Sequence, residues 1–165
     1  MEPGRVFRHL FTGRGAVRRA FPDSTLDAIE RAIREAEATH SGQIRVVIES
    51  SLDGPRLWAD ETARERAVEV FSLMRVWDTA HNNGVLIYLL MADRDVEIIA
   101  DRGIHAKCGP EAWEAVCREM EQHFREGRFE AGALAGVRAV GEHLARHFPG
   151  SGAGANELPD RPVLM

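Results

Sequence analysis

Val85-Leu86-Ile87-Tyr88-Leu89-Leu90-Met91 is an unbroken apolar run between two turn signals, Asn82-Asn83-Gly84 before it and Ala92-Asp93-Arg94-Asp95 after it. The run is too short to cross a membrane, and its sharp bounds favour a strand over a buried helix. It predicts a central β-strand buried on both faces. Such a strand needs helices on both sides of its sheet, which makes the chain an α/β protein. Val96 to Asp101 alternates apolar and polar residues, so Val85 to Asp101 reads as a β-hairpin.

The flanking segments supply the other layers. Pro22-Asp23-Ser24 is a helix start, with Ser24 as cap and Asp27 three residues on as in a capping box. Leu26, Ile29, Ile33 and Ala36 mark one face of that helix, and Ser41-Gly42 ends it. Gln43 to Glu49 alternates, with Ile44, Val46 and Ile48 on one face and Arg45, Val47 and Glu49 on the other, as in a strand. A second helix is predicted from about Asp60 to Met74. Pro110 opens a third, ended by Gly127, and a fourth spans Phe129 to His147. Strand–helix–strand makes the first two strands parallel through a right-handed crossover, and the hairpin adds an antiparallel third. The expectation is therefore a small mixed sheet flanked by helices.

Three segments follow from this reading: a basic N-terminal segment (1–21), a single domain (22–148) and a flexible tail (149–165). Residues 1–20 hold Arg5, Arg8, Arg14, Arg18 and Arg19 against one acid, Glu2, with Val6, Phe7, Leu10 and Phe11 at helical spacing. Such a helix either packs on its own domain or lies on an anionic membrane surface. The tail carries Gly, Ser and Ala after Pro149 and then Leu158, Val163 and Leu164, which are expected to dock back on the domain. No apolar run spans a bilayer and no leader is read at the N-terminus. The expected location is the cytoplasm, or the face of a membrane reached through the basic segment.

Several chemistries are excluded. The formal charge of -5 gives no general attraction for nucleic acid. Lys107 is the only lysine, so no P-loop exists. Cys108 and Cys117 form neither a Cys-x-x-Cys nor a disulfide framework, which fits a reducing compartment. Asp93-x-Asp95 follows an apolar strand as in aspartyl-phosphate enzymes, but Glu97 stands where that signature needs Thr or Val, and the chain returns as a strand. Glu142 precedes His143, so His143 and His147 lack the His-Glu-x-x-His order of a zinc protease. Trp58, Trp77 and Trp113 are expected as packing residues.

Thr39-His40-Ser41-Gly42-Gln43-Ile44, then Asn82-Asn83-Gly84-Val85-Leu86-Ile87, Asp93-Arg94, Asp101-Arg102-Gly103, Trp113 and Phe124-x-x-Gly127-x-Phe129 stand in the order and spacing of the TPM domain, which the chain resembles over about residues 22–148. Its ending, Glu157-Leu158-Pro159-Asp160-Arg161-Pro162, resembles the compact bacterial branch without a membrane anchor. The resemblance implies a three-layer α/β/α sandwich. It also implies a link to phosphatase activity, to divalent cations such as calcium or magnesium, and to a protein partner in a membrane-associated complex. Asp101-Arg102-Gly103-Ile104-His105-Ala106 replaces the Gly-Tyr-Gly-Leu-Glu-Gly type loop of anchored members, which weakens the phosphatase implication.

The topology leaves two candidate cation sites. One end of the sheet collects Thr39, Asn82, Asn83 and Asp101, with Asp78 and His105 nearby. Carboxylate, amide and carbonyl oxygens suit a hard cation. The other end collects Glu49, Asp53, Asp93 and Asp95, beyond the carboxyl ends of the parallel strands. The leading expectation is an accessory or binding domain holding a divalent cation. Its rivals are a weak metal-dependent phosphatase and a membrane-surface adaptor working through residues 1–20.

Overall fold

The computed structural model describes residues 2–150 and 154–165. In chain order the elements are α1 (Pro3–Phe11), α2 (Arg14–Ala20), α3 (Asp23–Glu37), β1 (Gln43–Glu49), α4 (Gly54–Trp58), α5 (Ala63–Leu73), β2 (Gly84–Leu90), β3 (Asp95–Ala100), α6 (Arg102–Cys108), α7 (Pro110–Arg125), α8 (Phe129–His147) and β4 (Val163–Leu164). The sheet order is β3-β2-β1-β4. β1 and β2 run parallel, from Gln43 opposite Gly84 to Glu49 opposite Leu90. β3 returns antiparallel to β2, from Asp95 opposite Leu90 to Ala100 opposite Val85. The mixed α/β sheet expected from the sequence is therefore present, with one strand more. Among the described residues no helix is long and apolar enough to cross a membrane.

Every residue of β1 and β2 is buried, so both sheet faces are covered. Ile44, Val46, Ile48, Val85, Ile87 and Leu89 meet Ile29 and Ile33 of α3, Val116 and Met120 of α7, and Val137, Val140 and Leu144 of α8. The opposite face pairs Val47, Leu86, Tyr88 and Leu90 with Leu57, Ala67, Val70 and Val76. α7 and α8 approach closely at Gly136, where a Cβ would stand 2.2 Å from the Met120 sulfur.

Local departures from the sequence reading have local causes. α3 begins at Asp23 behind Pro22, and no side chain caps it. Ser24 and Asp27 form no capping box; Asp27 instead accepts from Arg161 of the tail. The helix expected from Asp60 to Met74 starts later, at α5, where Thr62 and Glu65 make a reciprocal capping box. The separate α4 stands before it, capped by Asp53. Asp60, with φ 57°, is left-handed between the two. Residues 102–108, to which the sequence reading assigned no element, form α6. Trp113 is buried, but Trp58 and Trp77 are exposed and do not serve as packing residues.

The C-terminal segment returns and enters the sheet. Val163 and Leu164 pair with Val47 and Ile48 as a parallel edge strand, β4. Buried Arg45 donates 2.7 Å hydrogen bonds to the Pro159 and Arg161 carbonyls. Gln43 Oε1 accepts from the Glu157 and Leu158 amides at 3.0 and 2.9 Å. Leu158 is buried against the α5 side of the sheet. The flexible stretch expected after Pro149 falls partly on residues 151–153, which lie outside the described residues.

Removing the Leu158 side chain deletes the apolar anchor of this segment. Leu158→Ala should cost about 2–5 kcal/mol in denaturant unfolding. It should also speed hydrogen exchange at the Met165 amide, which donates to the Ile48 carbonyl. Unchanged exchange there would show that β4 holds without Leu158.

Candidate functional site at the head of the sheet

β1 and β2 start at the end of the sheet where β3 finishes, and backbone bonds tie three segments together there. The Gln43 amide donates to the Asn83 carbonyl, the Asp101 amide to the Gly84 carbonyl, and the Gly103 amide to the Asn82 carbonyl. Asn82 takes the left-handed conformation, φ 51°, that the Asn-Asn-Gly turn requires. Asn83 is fully buried. Its backbone N–H donates to Thr79 Oγ1 at 3.2 Å and its Nδ2 donates to Ser41 Oγ at 3.3 Å. Asp101 caps α6, with Oδ1 accepting from the Arg102 amide at 2.7 Å. Two buried oxygens remain without a hydrogen-bond partner among the described residues, Asn83 Oδ1 and Asp101 Oδ2.

The other residues expected at this end are used elsewhere. Asp78 is half-exposed and pairs with Arg75 in its own loop. Thr39 Oγ1 donates to the Ala36 carbonyl at 2.7 Å, closing the end of α3. His105 is exposed on α6 and borders the groove between β3 and α7.

At the opposite end the four acids do not converge. Glu49 is buried and accepts from Arg66 Nε at 2.9 Å, Arg66 Nη2 at 3.0 Å and the Tyr88 hydroxyl at 2.6 Å. Burial, with the Glu49 hydrogen bond second, holds the Tyr88 hydroxyl protonated far above its ordinary range. Asp53 accepts from the Arg56 amide as the α4 cap. Asp93 is claimed by Arg5 Nε at 3.0 Å and by His9 Nε2 at 3.1 Å. Burial pulls the Asp93 carboxyl upward, but hydrogen bonds from Arg5 and His9 outweigh it and leave it below its usual range. Asp95 is pushed up to about 6, first by burial and then by Glu97, Glu121 and Asp93. Among the described residues no three His, Cys, Asp or Glu side chains gather as a metal-ligand group.

The TPM domain model matches residues 18–143. The chain belongs to the TPM domain family. The NMR structure of BA42, a protein from the psychrophilic bacterium Bizionia argentinensis, is similar to this TPM domain at 30% identity and a TM-score of 0.75. That match covers 86% of this chain and 93% of BA42. The N-terminal domain of a P. gingivalis protein shares the fold at 19% identity and a TM-score of 0.61, over 76% of this chain and 78% of that one. No curated protein matches the chain.

The TPM domain also has a cavity of about 670 Å³ beside its head, which the sequence did not reveal. Glu37, His40, Gln43 and His81 line it from the domain, and Glu157 and Asp160 close it from the tail. Glu37 Oε1 accepts from the Ile44 amide at 2.8 Å. Burial, and to a smaller extent the neighbouring Asp160, raises its carboxyl to about 7. Burial also lowers the His40 imidazole and favours its neutral form. No sequence signal pairs Glu37 with Asp160, because the pair exists only once the tail has returned. Neither thiol is activated. Burial, followed by Glu97 and Glu121, pushes Cys117 up to about 12, and burial raises Cys108.

Glu37 makes stability depend on pH. It ionises near 4.5 when unfolded and near 7 when folded. Across that window the folded state binds more protons, so its contribution is complete below the lower value and is lost as pH rises through the upper one. Glu37→Gln keeps an acceptor for the Ile44 amide and cannot ionise. Its melting temperature should gain on that of the unaltered chain from about pH 5 to about pH 8. Parallel pH curves for the two proteins would show that Glu37 does not titrate in this range.

Proposed function

We propose that this TPM domain is a non-catalytic binding domain that takes a divalent cation of the calcium or magnesium class, weakly, at the head of its sheet. The observation behind the reading is the pair of buried, unpartnered oxygens on Asn83 and Asp101. Buried polar atoms ordinarily find a partner, and these two belong to segments joined at the same backbone junction. The Asp101 amide bonds to the carbonyl of Gly84, the residue that follows Asn83. A carboxylate and an amide oxygen are the donor types that hard cations select.

A single carboxylate makes the site weak, because ligand charge count governs affinity for such ions. Asn82 contributes by shaping the turn, and Asp78 stays with Arg75. The acids of the other end support the same choice by already having partners or standing apart. The thiols of Cys108 and Cys117, both held protonated by burial, offer no activated nucleophile, which favours binding over hydrolysis by a cysteine.

Titrating the full chain with calcium and then magnesium, followed by amide NMR, tests the reading. Saturable shifts are expected at Ser41, Asn83, Gly84 and Asp101, with a dissociation constant on the order of 10⁻⁴–10⁻³ M. Asp101→Asn, which keeps an oxygen to cap α6, should abolish them. Shifts centred on Asp93 to Asp95, or none at millimolar metal, would sink the proposal. Hydrolysis of a phosphomonoester that requires both metal and Asp101 would replace it with the enzymatic reading.

A further inference from the structure

A helix on a globular domain normally turns its apolar face inward and its charges outward. α1 does the reverse. Its inward side chains are Arg5 and His9, with half-buried Val6 beside them. The His9 imidazole is buried, its Nδ1 accepting from the Leu52 amide at 2.9 Å and its Nε2 lying 3.1 Å from Asp93 Oδ2. Arg5 Nε donates to Asp93 at 3.0 Å, and its Nη2 donates to the Glu61 carbonyl at 2.6 Å. Outward stand Phe7, Leu10 and Phe11, 62, 71 and 79% exposed. The Phe7 and Phe11 rings are parallel, with centroids 6.3 Å apart, so they present one apolar ridge.

The surroundings of the ridge carry one sign of charge. From residue 3 to residue 22 the chain has five arginines and no acid, in a protein whose formal charge is -5. Arg5 is spent on Asp93. Arg8 reaches Asp93 at 3.4 Å but remains half-exposed. Arg14, Arg18 and Arg19 are exposed on α2, which Val17 and Phe21 anchor in the core. Arg14 and Arg18 border a small crevice with Leu164 and Met165, so α2 is seated against the C-terminus.

We propose that α1 and α2 form a docking face for an anionic lipid bilayer. Phe7, Leu10 and Phe11 enter the boundary between headgroups and acyl chains, while Arg8, Arg14, Arg18 and Arg19 lie at the phosphates. The combination of apolar ridge and basic flank is what such an interface selects. A second copy meeting this face across a two-fold axis would bring arginine rows against each other. The face is already folded and pinned through Asp93, so docking needs no ordering of the helix. A ridge of three side chains makes the attachment reversible, and salt should weaken it.

Co-sedimentation of the full chain with vesicles tests this independently of the cation site. Binding is expected to phosphatidylcholine vesicles containing phosphatidylglycerol, with little to phosphatidylcholine alone. It should fall at least about tenfold on moving from low to high salt. The double variant Phe7→Ser, Phe11→Ser should lose at least about tenfold in binding. It should keep the circular dichroism and melting temperature of the unaltered chain, because both side chains are exposed. Arg14→Glu with Arg18→Glu should lose binding to the anionic vesicles. Absence of binding to both vesicle types, or binding that survives loss of both phenylalanines, would overturn the proposal. Concentration-dependent dimerisation abolished by the phenylalanine variant, without vesicle binding, would instead give the face to a second copy and also overturn it.

Discussion

β1 is buried on both faces and hydrogen-bonded along both edges, and it carries three buried polar side chains, Gln43, Arg45 and Glu49, at alternate positions of one face. An unpaired polar group in such a place costs far more than a satisfied one contributes. The strand therefore dictates what must surround it. Glu49 requires Arg66 and Tyr88, which draws α5 onto the sheet. Arg45 and Gln43 require the backbone of residues 157–161, which draws the C-terminal segment back across the same face. Once that segment has returned, Asp160 stands by Glu37 and closes the cavity beside the head.

The two ends of the sheet meet opposite demands. At the carboxyl end of the parallel strands three of the four acids are partnered within the chain: Asp93 by α1, Glu49 by α5, Asp53 by α4. Pinning α1 through its polar side leaves Phe7, Leu10 and Phe11 to solvent, so the partnering of Asp93 and the exposed ridge have one cause. At the head, the turn before β2 and the cap of α6 are pressed together by backbone bonds. Their two leftover oxygens have no arginine among the described residues to take them.

Much of this was legible because its signals are local. The apolar run of β2 lies within a residue of its predicted limits. β1, α7 and α8 are bounded by Gln43 and Glu49, Pro110, and Phe129 and His147 as read. Asn83 and Asp101 could be placed together from topology alone, since parallel strands and a hairpin leave one arrangement of ends. Asp78 could not be excluded that way, because its pairing with Arg75 depends on side-chain geometry in one loop. The acids at the far end looked like a cluster for the same reason: sequence order puts them at one end of the sheet but says nothing of which direction each faces. Trp58 and Trp77 were expected inside on residue type, yet their short helix and loop lie at the surface.

The sequence by itself determined the fold class, the family and the order of the main elements, because periodicity, turn residues and helix-terminal glycines and prolines act over a few neighbouring residues. Only the tertiary structure decided that a two-residue strand completes the sheet, that Arg45 and Gln43 are interior groups rather than solvent-facing ones, and that α1 is turned inside out. Those outcomes hang on partners about 50 to more than 100 residues away. A buried charge or amide is satisfied by whichever group the chain brings to it.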